Sequence, residues 1–181
     1  MVKIKAKQVI PYIGIPIISI TFLLFQLNRL DIFYILQYLL LIIFGYIATV
    51  SDIKSKEIKN SLIIAMFAGW IVTIVPRLFI NIEGTLTLLT RSLLGFAIGG
   101  GLFLLVYIIS RKGLGGGDVK FMAIAGLYLG LDGIIPTLLY GSVLAALVGW
   151  FLVLLKRINR KDSIPLAPFL FIGILINIFL M

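Results

Sequence analysis

The chain of 181 residues is 61% hydrophobic and 13% charged, with a mean hydropathy of +1.19, which excludes a soluble domain, where roughly 25% of residues carry charge. Its formal net charge of +9 is carried mostly in short linkers between apolar runs, without aromatic interleaving, so it points to anionic lipid headgroups and topology control and excludes nucleic acid as a partner. With no cysteine and no histidine, disulfides, thiolate nucleophiles and imidazole chemistry are excluded, and neither a cofactor nor a metal is expected.

Lys3, Lys5 and Lys7 resemble the basic start of a signal peptide. The apolar stretch that follows, about 9–27, lacks a small-residue cleavage site and reads as a retained anchor. Further apolar windows fall at roughly 32–50, 61–80, 86–110, 119–133, 135–155 and 164–180, several of them near the roughly 20 residues that cross a bilayer core as helix. Asp132 and Gly133 interrupt the stretch from Phe121 to Leu155, which is too long for one crossing and divides into two short helices joined by a tight turn. The expectation is an all-α polytopic membrane protein of about seven transmembrane helices in a single domain.

Seven crossings place the N-terminus and the linkers around 51–60, 111–120 and 156–163 on one side. That side gathers Lys3, Lys5, Lys7, Lys54, Lys56, Lys59, Arg111, Lys112, Lys120, Lys156, Arg157, Arg160 and Lys161, and leaves Arg29, Arg77 and Arg91 near the other. The positive-inside rule then puts the basic side in the cytoplasm and the C-terminus outside. Asp52 and Asp118 fall on the cytoplasmic side; Asp31, Glu83 and Asp132 fall opposite. Gly95, Gly99 and Gly100 in the fourth window, and Gly126 and Gly130 in the fifth, follow the spacing of close helix contact in membranes.

Two linkers carry acids at the mouths of apolar segments. The first reads Ser51-Asp52-Ile53-Lys54-Ser55-Lys56-Glu57-Ile58-Lys59-Asn60. Asp52 ends one helix, at the unfavourable end of its dipole, and Asn60 or Ser61 is placed to cap the next. Pairing with Lys54 or Lys56 is the simplest structural role for Asp52. The second linker reads Gly113-Leu114-Gly115-Gly116-Gly117-Asp118-Val119-Lys120. Its glycines let another backbone approach closely, and Asp118 lies at or just inside a helix start, whose free N–H groups hold anions. No Lys-Ser or Lys-Thr follows the last glycine, so a phosphate-binding loop is a poor match. Taken together, the two acids read as an acid/base pair sharing one proton, one carboxylate taking a proton from an attacking water while the other hydrogen-bonds an amide carbonyl. Aspartic proteases are the established case of two carboxyls sharing a proton in this way.

The chain resembles the type IV prepilin and archaellin peptidases, intramembrane aspartyl peptidases of the Gly-x-Gly-Asp class. Asp52, Ile58 and Asn60 match that family's first motif, with Lys59 where Pro is common. Gly115, Gly117, Asp118 and Lys120 match its second, and Ile164-Pro165-Leu166-Ala167-Pro168-Phe169 resembles the Pro-rich opening of its last helix. The resemblance spans about residues 35–180. It implies a six-helix catalytic core over 31–181 with an additional span in 1–30, catalytic Asp52 and Asp118, and supporting roles for Gly113, Gly115, Gly116, Gly117, Lys120, Ile58, Asn60, Pro165 and Pro168. The implied substrates are leader-bearing pilin, archaellin or related filament subunit precursors, cut on the cytoplasmic side between a short basic leader and a hydrophobic helix. Lacking the cysteine-rich insertion of larger members, the chain resembles the short, peptidase-only type. Presenilin-like relatives expect Tyr-Asp and Pro-Ala-Leu, where this chain has Ser51-Asp52 and Pro165-Leu166-Ala167. A cation- or proton-coupled transporter using the two aspartates is the main alternative, and a non-catalytic scaffold is a third.

Overall fold

The computed structural model describes residues 10–27, 30–110, 114–157 and 164–180. Gly113 and the basic residues Lys3, Lys5, Lys7, Arg29, Arg111, Lys112, Arg160 and Lys161 lie outside them. A 3-10 turn at Ile10–Tyr12 precedes six helices: α1 (Gly14–Gln26), α2 (Ile32–Ser55), α3 (Asn60–Ile80), α4 (Ile82–Ile109), α5 (Gly116–Leu154) and α6 (Ala167–Leu180). The protein is all-α. Four helices, α2 to α5, are long and apolar enough to cross a membrane, whereas α1 and α6 are apolar but shorter, at 13 and 14 residues. Large apolar side chains such as Leu24, Phe79, Ile109, Leu139 and Trp150 point outward, an arrangement that lipid rather than water accommodates.

The 39-residue α5 turns back on itself at Gly130, with φ 66° and ψ −174°. That conformation is open essentially to glycine alone. Gly99 of α4 accordingly faces both Met122 before the turn and Ile134 after it. The apolar pattern places the break at Asp132 and Gly133. Both are helical instead: Asp132 pairs with Arg91 at 3.2 Å, and Gly133 packs against Leu129 and Asn177. α4 also starts earlier than the window at 86, because the Asn81 side chain caps it by accepting the Gly84 N–H at 2.9 Å.

Glycines set the closest helix approaches. The backbones of Gly95 and Gly126 face each other, so a Cβ at either position would strike the other helix of the α4–α5 pair, and a Cβ on Gly100 would meet Ala123 at 2.8 Å. Gly173 of α6 lies against the backbone of Thr137 and Gly141, and Gly45 of α2 admits the Phe171 ring. α1 packs edge-on through Phe22 against Tyr38 and Phe179, and its buried Gln26 donates Nε2 to Ile178 O at 3.1 Å. Inside, Tyr128 donates to Met66 O and Gln37 to Tyr128 O, both at 2.6 Å, tying α3 and α2 to the first arm of α5.

These contacts bring the C-terminal end of α2 and the N-terminal ends of α3, α5 and α6 to one end of the bundle. Lys54, Lys56, Lys59 and Lys120 stand there. At the opposite end are Arg77 and Arg91, beside Asp31 and Asp132. Among the described residues, the charge asymmetry read from the linkers is therefore also an asymmetry of the folded bundle.

Candidate active site

α2 runs beyond the end of its apolar window, to Ser55, and closes where Lys56 adopts a left-handed conformation with φ 53° and donates its N–H to Asp52 O at 2.8 Å. Asp52 thus lies inside the last helical turn. Its side chain is buried, and Oδ2 accepts the Ala167 N–H at 2.9 Å. Ala167 opens α6, where backbone N–H groups have no partner within the helix, and Pro168 next to it has no N–H to offer. Asp52 is thereby positioned by a backbone donor from α6. Lys54, one of the two lysines expected to neutralise it, instead lies over the Tyr12 ring, 5.3 Å from the centroid.

The linker after Asp52 is held from within. Ser51 Oγ donates to Glu57 O at 2.8 Å, and Ser55 Oγ donates back to Ser51 O at 2.8 Å; Ile58, next in the linker, is buried. α3 has its N-cap at Lys59 with no side-chain cap bond, so neither Asn60 nor Ser61 caps it. Asn60 does something else: its Oδ1 accepts Lys120 Nζ at 2.9 Å, joining the starts of α3 and α5.

Asp118 is the third residue of α5, and its N–H donates to Gly115 O at 3.1 Å. The side chain is buried, with Oδ1 lacking any hydrogen-bond partner. The neighbouring glycines differ in what they permit. A Cβ on Gly115 would sit 2.8 Å from Asp118 Oδ2, and one on Gly117 would sit 3.1 Å from Ile58 Cβ and 3.3 Å from its N and O, whereas one on Gly116 would meet nothing. Two of these glycines therefore make room for specific neighbours.

Asp52 and Asp118 line one cavity of about 160 Å³, with Lys56, Glu57, Ile58 and Gly115 to Gly117 completing its wall. The carboxyls are close enough to act on each other electrostatically. The fold thus brings together Asp52, Ile58, Asn60, Gly115, Gly116, Gly117, Asp118 and Lys120, all singled out from sequence. Pro165 and Pro168 do not line the cavity; they flank the Ala167 N–H that reaches Asp52. That donor, and the Ser51 hydroxyl that holds Glu57 O, were not singled out from sequence. The signal for Ala167 was present, since a residue at a helix start beside proline has a free N–H. Among the described residues, no group of three or more His, Cys, Asp or Glu side chains is arranged to hold a metal ion.

The family whose model matches this chain is the type IV leader peptidase family, over residues 38–150, more than half of the sequence and including both acidic motifs. The chain belongs to that family. Individual relatives are more distant. It is similar to a prepilin leader peptidase/N-methyltransferase of Xanthomonas campestris, 35% identical over 66 residues, or 36% of this chain and 23% of the relative. Its likeness to the protein of that name from Bacillus subtilis is 32% over 77 residues, covering 42% and 31%. With the one from Burkholderia pseudomallei it shares 32% over 102 residues, covering 53% and 33%. The match spans no more than about a third of these relatives' length. No solved structure matches the chain. Membership fixes a peptidase family and, with the apolar helices, a multi-pass membrane protein.

Proposed function

We propose that the protein is an aspartic endopeptidase that removes the short basic leader of type IV pilin-like or archaellin precursors at the cytoplasmic boundary of the membrane. The observation that carries this reading is the meeting of Asp52 and Asp118, from separate helices, in one cavity at the basic end of the bundle. Residues 31–181 form the catalytic core, and the span within 1–30 packs against it. The basic end faces the cytoplasm by the positive-inside rule.

The Ala167 N–H fixes the orientation of Asp52, whose carboxyl lines the cavity in which a water is to be engaged. Asp118 Oδ1, buried and unpartnered, is the natural contact for the same water or for the substrate carbonyl. One carboxylate takes the proton as water attacks the amide carbon, while the other, protonated, hydrogen-bonds the carbonyl oxygen; as the C–N bond breaks, that second carboxyl gives its own proton to the leaving nitrogen, and the dyad again holds one proton, the one taken from water. The substrate's apolar helix stays in lipid while its leader stays in water, which places the scissile bond at the level of the cavity. Glu57 on the cavity wall offsets part of the local positive charge that a basic leader meets.

A coupled transporter is less well supported, because both acids lie at one end of the bundle rather than midway along it. The test is cleavage of a leader-bearing subunit peptide by purified protein in detergent. Asp52→Asn and Asp118→Asn each lower turnover by at least about a thousandfold, in the upper range of acid–base contributions, with thermal unfolding near that of the parent. Unimpaired cleavage by either variant sinks the dyad mechanism.

A further inference from the structure

We infer that the end of the bundle opposite Asp52 and Asp118 carries a site for a phosphate oxyanion, of the kind a phospholipid headgroup presents, built around Arg77. Arg77 lies in the last turn of α3 and is 8% exposed. Its Nε and Nη2 are both buried and have no hydrogen-bond partner. These two atoms form one edge of the guanidinium, whose parallel N–H groups match two oxygens of a phosphate.

The protein's own groups leave that edge unsatisfied. The guanidinium carbon stands 4.2 Å from the centroid of the Tyr34 ring and 5.2 Å from that of Phe33, contacts that hold the plane of the group without accepting its in-plane N–H bonds. The paired acid, Asp31, has its Oδ2 3.9 Å from Nη2, beyond hydrogen-bond reach, and its side chain is 61% exposed. Asp31 precedes α2 at the N-cap position but makes no capping bond, so its carboxyl is free to rotate aside. Arg91, at the same end, shows the contrast: it is 63% exposed and hydrogen-bonded to Asp132 at 3.2 Å. A buried cation without a full set of partners is costly, whereas an exposed one is not.

Beside Arg77 is a cavity of about 330 Å³, whose wall includes Asp31, Tyr34, Asn81 and Thr85 on its polar side and Ile80 and Leu88 on its apolar side. Asn81 and Thr85 belong to the cap and first turn of α4, so the start of a long helix, which also carries Glu83 and whose Gly84 N–H is already held by Asn81, faces the same space. The mixed wall, at a helix-end level of a membrane bundle, suits a phosphate carried on an apolar tail.

The experiment is calorimetric titration of the full chain in nonionic detergent with three probes: dihexanoyl phosphatidylglycerol, inorganic phosphate, and dihexanoylglycerol, which has the tails without the phosphate. Saturable binding of the phospholipid, with none of dihexanoylglycerol, is expected. Weaker binding of inorganic phosphate assigns the site to a lipid headgroup; equal or tighter binding assigns it to the free ion. Arg77→Gln weakens binding at least about tenfold, the scale of a lost charge-assisted contact, and Asp31→Asn tightens it several-fold by removing the competing carboxylate. Lys54→Gln with Lys59→Gln, at the other end, leaves it unchanged. No saturable binding of either phosphate probe overturns the inference. So does affinity indifferent to Asp31→Asn, a test that stands even where Arg77→Gln does not fold.

Discussion

Replacing Gly117 by alanine isolates the contact that holds the two acidic linkers together. The new Cβ would lie 3.1 Å from Ile58 Cβ and 3.3 Å from its backbone N and O. Ordinary contact is reached only if Ile58 moves away by roughly half an ångström, since dispersion wells lie near 3.5–4.0 Å. Ile58 is buried in the linker that joins Asp52's helix to α3, so its retreat pulls Asp52 away from Asp118. A misplacement of about 1 Å costs about a hundredfold in rate, and half of it costs about tenfold. Overpacking adds about 1–3 kcal/mol of destabilisation, partly offset by about 1 kcal/mol from alanine's better helix propensity. Gly116→Ala is the matched control: it adds the same methyl one residue earlier, where nothing stands within 4 Å, and neither glycine has positive φ. The assay is turnover of a leader peptide in detergent, with thermal unfolding measured on the same preparations. Gly117→Ala should lose about tenfold or more in turnover by this geometric argument, and Gly116→Ala should stay within a few-fold of the parent. Equal turnover of both variants would falsify the reasoning, as would an equal loss in both.

Gly126→Ala, whose Cβ would fall on the Gly95 backbone, should cost more than about 3 kcal/mol, at the severe end of overpacking. Thermal unfolding checks this against Gly101→Ala, where nothing lies within 4 Å and little change is expected. A double-mutant cycle of Lys120→Met and Asn60→Ala should give a coupling of about 0.5–1.5 kcal/mol in stability, the usual net value of one hydrogen bond; zero coupling removes the bond at 2.9 Å. Tyr128→Phe removes the buried donor to Met66 O and should lower stability by about 1–2 kcal/mol. Because the chain has no cysteine, Lys54→Cys and Asp132→Cys can be labelled singly with a membrane-impermeant thiol reagent. Reaction of the first from the cytoplasmic face and the second from the other is expected, and labelling of both from one face contradicts the proposed orientation.

Much of the candidate site was legible because its parts are short and local. Asp52 to Asn60 and Gly115 to Lys120 each fall within about two helical turns, and the polar break each makes in an apolar chain is visible without a structure. The apolar pattern places the turn within α5 two residues late, because Asp132 is the stronger interruption of that pattern. Backbone geometry chose Gly130 instead, since only a residue without Cβ takes φ 66° with ψ −174° cheaply. Lys120 reads from sequence only as part of the second motif; the packing of α3 beside α5 gave its ammonium to Asn60.

The sequence by itself determined the solvent of this protein, its all-helical class and the distribution of its charges, since hydropathy is set by residues adjacent in the chain. It also held the residues of both acidic motifs. Only the tertiary structure decided which groups satisfy them: the Ala167 N–H on Asp52, Ile58 against Gly117, and no hydrogen-bond partner at all for the buried edge of Arg77. The reason is that a hydrogen bond is fixed to a few tenths of an ångström by how separate helices pack, and that register depends on contacts between residues far apart in the chain.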